Sequence, residues 1–544
     1  MKTPIRTLLA ALVLGLSFSP QSRAESITWT NTAGGNWGTA ENWSPNQVPN
    51  TGDSVTITGI GANVRLDTTN SIASLTLLGP GSLTVASNGV LNLTAEVYVA
   101  APLTNQGVVH WLAGNVQVAS TGGATGEVWN EAGGLWDIRC DQALWGSGGV
   151  GWFHNSGTVR KSAGTLTTGF DLSFDNSGTA QAQSGTIQFQ RGGNFGGVFQ
   201  ADAGAAMYLG GAVATLSAPP VMQGPGTVQL NCSRVVLEDF VGSLTLYQGG
   251  VSGRLASNGV LNVAGSMVVS FPLLNQGVLN LGAEVYLAAP LTNQGVVHWL
   301  AGNVQVASTG GASGEVWNEA GGLWDIQCDQ PLYLSAGVGW FHNSGTVRKS
   351  AGNLTTGFDI SFDNSGTVQA QSGTIAFQSA SPQTAAAKLE VSLGGPSPGS
   401  GFGRIEFSTA PTFAGRFTLS TRDGFRPNPG DTFSVLGYPS AAGDFTCMNG
   451  LDLGAGLRLS PRFTPSGLVL TAVAYETNAL PALTQAWTLT GLLVSWPPEF
   501  TGWELRSATN LGAPVWLPIP VAGTNNTVVP KTLPEQYYQL SKPE

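Results

Sequence analysis

The stretch Trp136-Asp137-Ile138-Arg139-Cys140-Asp141 places two carboxylates and a guanidinium within five residues. Paired carboxylates can cleave a glycosidic bond as acid and base, provided they stand about 5–9.5 Å apart. On an extended strand, residues four apart are separated by about 13 Å, so Asp137 and Asp141 cannot flank one bond. Alternation puts Trp136, Ile138 and Cys140 on one face and Asp137, Arg139 and Asp141 on the other. The acids therefore read as a solvated polar face. Histidine is scarce, and His110, His154, His298 and His342 each read as a lone surface or corner residue. There is no Cys/His spacing for zinc, no glycine-rich loop leading into a helix, and no nucleophile elbow. The residues thus offer no catalytic set, no metal ligand and no cofactor.

The 16 tryptophans carry a different chemistry, the stacking of rings on apolar faces. Trp111 and Trp136 each lie six residues past an asparagine and are expected to stack in the interior, as are their counterparts Trp299 and Trp324. Trp152 and Trp340 stand beside glycine and phenylalanine at a corner. They are expected to be exposed and are the candidate ligand-binding residues. Of the four cysteines, Cys140 and Cys328 hold the same position in two sequence copies and are expected to be buried free thiols. A Cys232–Cys447 bridge is left open.

The elements that must position these residues are visible in a duplication. Val97–Gln190 and Val285–Gln378 are identical at 83 of 94 positions. Inside the first copy, Asn105, Asn130, Asn155 and Asn176 recur at intervals of 25, 25 and 21 residues, each preceded by an apolar residue and followed by glycine. Asn and Gly tolerate left-handed backbone, so each pair marks a corner. "ASNGVLN" repeats at an offset of 170, whereas the next segment repeats at 188, a gain of 18 residues. A stacked solenoid absorbs one extra unit in this way, because each repeat touches only its neighbours. Short strands and Asn/Gly corners predict an all-β, right-handed parallel β-helix of roughly fifteen coils over residues 55–380, stacked about 4.8 Å apart. Counting seven residues past each corner asparagine aligns Leu112, Asp137, Ser162 and Gln183, and no acidic column results.

Flanking segments differ from this middle. Lys2 and Arg6, an apolar run and Ser22-Arg23-Ala24 read as a signal peptide over residues 1–24. No later run is long and apolar enough for a membrane helix. Trp29, Trp37 and Trp43 mark an N-terminal aromatic cap over 25–54. Residues 381–474 read as a β closing region, 475–484 as a linker, and 485–544 as a small β-sandwich. Removal of the leader takes the net charge from −10 to −13. Such a chain has no electrostatic footprint for nucleic acid. Only 10% of residues are charged and 75 are glycine, a composition that disfavours helices.

"GNWGTAENWSPNQVPNTGDSVTI", the N-x-G coils and "GFRPNPGDTFSVL" followed by "GLRLSPRFTPSGLVLTAV" resemble secreted β-helix proteins similar to autotransporter passengers. "LLVSWPPEFTGWELRSATNLGAPVWLPI" resembles the immunoglobulin- or fibronectin-III-like modules appended to them. The resemblance implies an adhesin-like scaffold, secreted or associated with the outer surface of a bacterial cell, with polysaccharide or cell-surface components as partners. The chain departs from the autotransporter pattern after "YYQLSKPE", where no outer-membrane barrel follows. A carbohydrate-active β-helix enzyme, a lyase or hydrolase, is the alternative. Its place would be the unique segment Arg191–Leu255, where Asp202, Arg234, Glu238 and Asp239 occur once.

Overall fold

The computed structural model describes residues 24–59, 62–121, 124–147, 151–309, 312–475, 481–498, 500–521, 525–531 and 535–542. Residues 1–23 of the expected signal peptide and 476–480 of the expected linker lie outside them. The protein is all-β and forms a parallel β-solenoid of about 15 turns. Two compact units share the chain. One comprises Met1–Gln190, Gly197–Met207 and Met222–Val228, and the other Arg191–Gly196, Tyr208–Val221 and Gln229–Glu544.

In the first unit each turn contributes strands to three parallel stacks. One runs through Ser54–Ile57, Ser74–Leu78, Val97–Ala100, Val116–Thr121 and Leu144–Ser147. A second runs through Asn63–Leu66, Ser82–Val85, Pro102–Asn105, Glu127–Asn130, Trp152–Asn155 and Ser173–Asn176. The third runs through Val90–Leu93, Val108–Trp111, Leu135–Ile138, Thr158–Lys161 and Thr179–Ala182. Alternation gives most strands an inward pair, such as Phe153 with Asn155 and Val159 with Lys161. Phe153, Phe174 and Phe189 form part of the core, with Phe174 and Phe189 stacked at 4.2 Å. Each such ring contributes about 1.5–3 kcal/mol by leaving water. Trp29, Trp37 and Trp43 are buried near the start of this unit, both pairs with Trp43 meeting edge to face at 4.8 Å.

The corner asparagines act differently from the sequence reading. None of Asn105, Asn130, Asn155 and Asn176 has a positive φ. They end strands, point inward and form a ladder, each Nδ2 donating at 2.7 Å to the Oδ1 of the next. The same amide groups also reach backbone carbonyls, Asn155 donating to the oxygen of Thr179 at 3.1 Å. Parallel stacking explains the preference, since a primary amide can accept from one coil and donate to the next. The neighbouring Gly107 is required by closeness, not by φ: a Cβ there would stand 2.2 Å from the Ala86 oxygen.

The second unit repeats the three stacks. The extra 18 residues form one additional turn, with Leu273–Asn275 beneath Leu291–Asn293 and Val278–Leu281 beneath Val296–Trp299. Its asparagine ladder accordingly gains a rung, from Asn275 through Asn293, Asn318 and Asn343 to Asn364. The hairpin of Leu457–Thr464 and Gly467–Ala474 pairs antiparallel with Thr432–Gly437. This change of direction occupies an edge that would otherwise offer open hydrogen-bonding groups. Beyond it, two three-stranded antiparallel sheets enclose Val494, Trp496, Leu505 and Val529. They are tied to the strand Cys447–Asn449, with Asn526 accepting from the Met448 backbone at 3.0 Å.

All four cysteines are free, so Cys232 and Cys447 are not bridged. Cys140 is buried, whereas Cys328 is only half-buried. Burial pushes both thiols up.

Candidate ligand-binding surface

The outward face of the second stack carries the most distinctive surface chemistry. In Glu127–Asn130, inward Val128 and Asn130 leave Glu127 and Trp129 outside; in Trp152–Asn155, Trp152 and His154 face out. Register then sets Thr104, Trp129, His154 and Asp175 in one column across four turns. Trp129 is 40% exposed, and its indole stacks on the His154 ring at 3.9 Å. Trp152, half-buried two residues before His154, holds its ring nearly parallel to the imidazole, at 5.7 Å and 8°. Carboxylates flank the rings: Trp129 Nε1 donates to Glu127 at 3.0 Å, and His154 Nδ1 meets Asp175 at 3.0 Å. A carboxylate at Nδ1 favours the tautomer that carries its proton there.

The second unit builds the same surface. Thr292, Trp317, His342 and Asp363 form the column, with Trp317 40% exposed and 3.9 Å from His342. Trp340 repeats the 5.7 Å spacing to His342, and Glu315 accepts from Trp317 at 3.1 Å.

Trp152 and Trp340 thus lie on this face, half-buried, while the more exposed indoles are Trp129 and Trp317. The signal for the latter was present in "EVWN", where inward Val128 forces Trp129 outward. Trp111, Trp136, Trp299 and Trp324 are fully buried. Trp136 sits beside Val109, not Trp111, because the strands are offset by two positions, and it meets Phe153 edge to face at 5.3 Å; in the second unit the expected indole contact is present, Trp299 meeting Trp324 edge to face at 6.5 Å.

The lone-histidine reading is corrected, because each histidine meets an aspartate one turn away. His110 Nδ1 lies 3.2 Å from Asp137, His298 3.4 Å from Asp325, and His342 2.6 Å from Asp363. The solvated reading of Asp137 is also corrected. Its side chain faces outward yet has no exposure, covered by Arg139 at 2.7 Å and Arg160 at 2.9 Å. Burial raises its carboxyl, but hydrogen bonds from Arg160, Ser162 and Arg139 outweigh that, leaving it at about 2. The imidazole's own burial, followed by the charge of Arg139, lowers His110. In the other copy Gln327 replaces Arg139 and donates to Asp325 at 2.8 Å.

Asp141 serves a lysine that the sequence reading passed over. Lys161 points inward with no exposure and donates to Asp141, the Cys140 carbonyl and Thr168, at 2.7, 2.7 and 3.0 Å. All of a lysine's three donors are used, so this is a structural ion pair, repeated at Lys349 and Asp329. In the unique segment, Arg234 lies over the Phe271 ring at 4.0 Å, Asp239 pairs with Arg254, and Glu238 is exposed. Asp202, in the other unit, accepts from Gln200 at 3.2 Å. Among the described residues no group of three or more His, Cys, Asp or Glu is placed to hold a metal. A cavity of about 610 Å³ lies between the hairpin and the terminal sheets, lined by Leu459, Tyr475, Leu483, Trp496 and Phe500. It occurs once, whereas the aromatic face occurs twice.

No protein-family model matches the sequence, and no curated protein matches it.

Proposed function

We propose that the protein is a non-enzymatic scaffold, secreted or held at the outer surface of a bacterial cell, that binds polysaccharide through two equivalent aromatic faces. The supporting observation is the Trp129–His154–Trp152 surface with its flanking carboxylates, displayed again at Trp317, His342 and Trp340. Indole faces stack on the apolar faces of sugar rings, and carboxylates accept from ring hydroxyls. A flat, open sheet gives weak binding at one face; two faces on one chain raise avidity by about 100-fold or more when a polymer engages both. The export-type leader, the likeness to autotransporter passengers and the immunoglobulin- or fibronectin-III-like terminal segment support the extracellular, adhesin-like setting.

The test is affinity electrophoresis of the mature chain in gels containing soluble polysaccharides, with reducing and unsaturated ends assayed in parallel. Retention without new ends is expected, and Trp129→Ala combined with Trp317→Ala abolishes it. A carbohydrate-active enzyme is the second reading, favoured by the Asp175-held His154. New chain ends lost on His154→Ala with His342→Ala would establish it instead.

A further inference from the structure

We propose that the cavity between the hairpin and the terminal sheets binds a small aromatic carboxylic acid, a role separate from that of the two aromatic faces. Its volume, about 610 Å³, falls among sites that enclose a drug-sized molecule, roughly 300–1,000 Å³. Its walls are held at a fixed spacing. The Met448 N–H donates to Asn526 at 3.0 Å, and the Val528 N–H donates to the Thr446 carbonyl at 3.2 Å. Asp444 accepts from the Thr490 N–H at 3.0 Å and from the Thr488 hydroxyl. The space therefore lies between two parts that are fastened to each other.

The two sides of the cavity differ in chemistry. Leu483 and Phe500 pack against the core that contains Trp496, and all three line the cavity. In the adjoining strands Thr484 and Ser495 spend their hydroxyls on each other at 2.8 Å, so this side offers a ligand mainly apolar and ring surface. On the hairpin side, alternation along Leu457–Thr464 sets Arg458 and Ser460 on one half-buried face, and both line the cavity. Among the described residues the Arg458 guanidinium has no ion pair and no side-chain hydrogen bond; it lies 6.0 Å from the centre of the Tyr475 ring. That phenol is held by Asp452, to whose two oxygens its hydroxyl donates at 3.0 and 3.1 Å. The Gly454 N–H donates to the same carboxylate at 2.7 Å. Asp452 thus fixes the ring on which the guanidinium rests. A planar fork of donors matches a carboxylate two bonds at a time, and the Ser460 hydroxyl stands about 7 Å further along the strand. An aromatic body against Leu483, Trp496 and Phe500, with its carboxylate on Arg458, uses both sides at once.

Isothermal titration calorimetry of the full chain with 2-naphthoate, its uncharged amide 2-naphthamide, and dodecanoate tests the assignment. Saturable binding of 2-naphthoate is expected, with the amide bound roughly 10- to 100-fold more weakly, the range for hydrogen bonds to a charged group. Arg458→Gln should weaken 2-naphthoate by the same factor without changing the amide. Ala486→Phe, which fills the cavity from the strand Thr484–Trp487, should abolish binding of both. Circular dichroism melts of the two variants confirm that each is folded. No saturable binding of 2-naphthoate would overturn the site. Equal binding of acid and amide, or an unaffected Arg458→Gln, would overturn the carboxylate. Tighter binding of dodecanoate would overturn the aromatic body, and undiminished binding to Ala486→Phe would overturn the cavity as its place. Retention by polysaccharides should be unchanged in both variants, so this site and the aromatic faces stand or fall separately.

Discussion

Asp137→Asn tests the reading of the covered carboxylate, and the duplication supplies its control. Asp137 has no side-chain exposure and accepts from Arg139 and Arg160. A carboxyl moved from 3.8 to about 2 stabilises the fold by about 2 kcal/mol. The amide also leaves two guanidinium groups facing each other without a counter-charge, so the expected loss is about 3 kcal/mol. In the other copy, Asp325 receives a neutral donor from Gln327 and one guanidinium from Arg348. A neutral hydrogen bond has roughly half the strength of a charge-assisted one, so Asp325→Asn should cost about 1 kcal/mol less. Solenoids open locally, so the assay is amide exchange read by mass spectrometry on Leu135–Ile138 and Leu323–Ile326. Exchange should accelerate roughly 100-fold in the first strand for Asp137→Asn, and several-fold less in the second for Asp325→Asn. The pH dependence follows from a depressed folded-state value. The contribution is complete above the unfolded value and is lost as pH falls through about 2, so wild type and Asp137→Asn converge over that interval. Equal acceleration in the two copies, or none for Asp137→Asn, would refute the role given to the guanidinium groups.

Lys161→Met takes the ammonium from Asp141, Thr168 and the Cys140 carbonyl, leaving Asp141 with only the Leu166 N–H and the carbonyl with the Thr168 hydroxyl, and should cost about 3 kcal/mol by chemical denaturation. Adding Asp141→Asn should recover part of that loss, and a strictly additive double variant would show that the pair is not coupled. Asn155→Ala removes a rung that joins Asn130 to Asn176 and should cost about 2 kcal/mol; a change within about 0.5 kcal/mol would mean that the ladder only fills space. Among the thiols, Cys140 and Cys328 should react with a maleimide before Cys232, pushed up to about 12 by burial, and before Cys447, which has no exposure. Mass spectrometry of the labelled peptides reads that order, and early modification of Cys232 would contradict it.

Local alternation and repetition determined the architecture. "EVWN", "WFHN" and "SFDN" each carry an inward apolar residue and asparagine, and identical spacing in two copies implies stacked turns without any long-range knowledge. The same alternation fixes Lys161 as inward and Trp129 as outward, although composition alone directs attention elsewhere. What only the tertiary structure decided is which side chain lies above which. Asn105 is followed by two residues before its next strand, Val108–Trp111, whereas Asn130 is followed by four before Leu135–Ile138. A uniform count of seven therefore set Leu112 and Ser162 beside Asp137, while the hydrogen-bonded register sets His110 and Arg160 there. Turn length is a property of the corner, and a two-residue difference leaves every strand's in–out pattern intact while changing its partners. Hence the solenoid was legible in one dimension, but the buried aspartate, the histidine–aspartate pairs and the paired indoles arose only when neighbouring turns came within a strand spacing of each other.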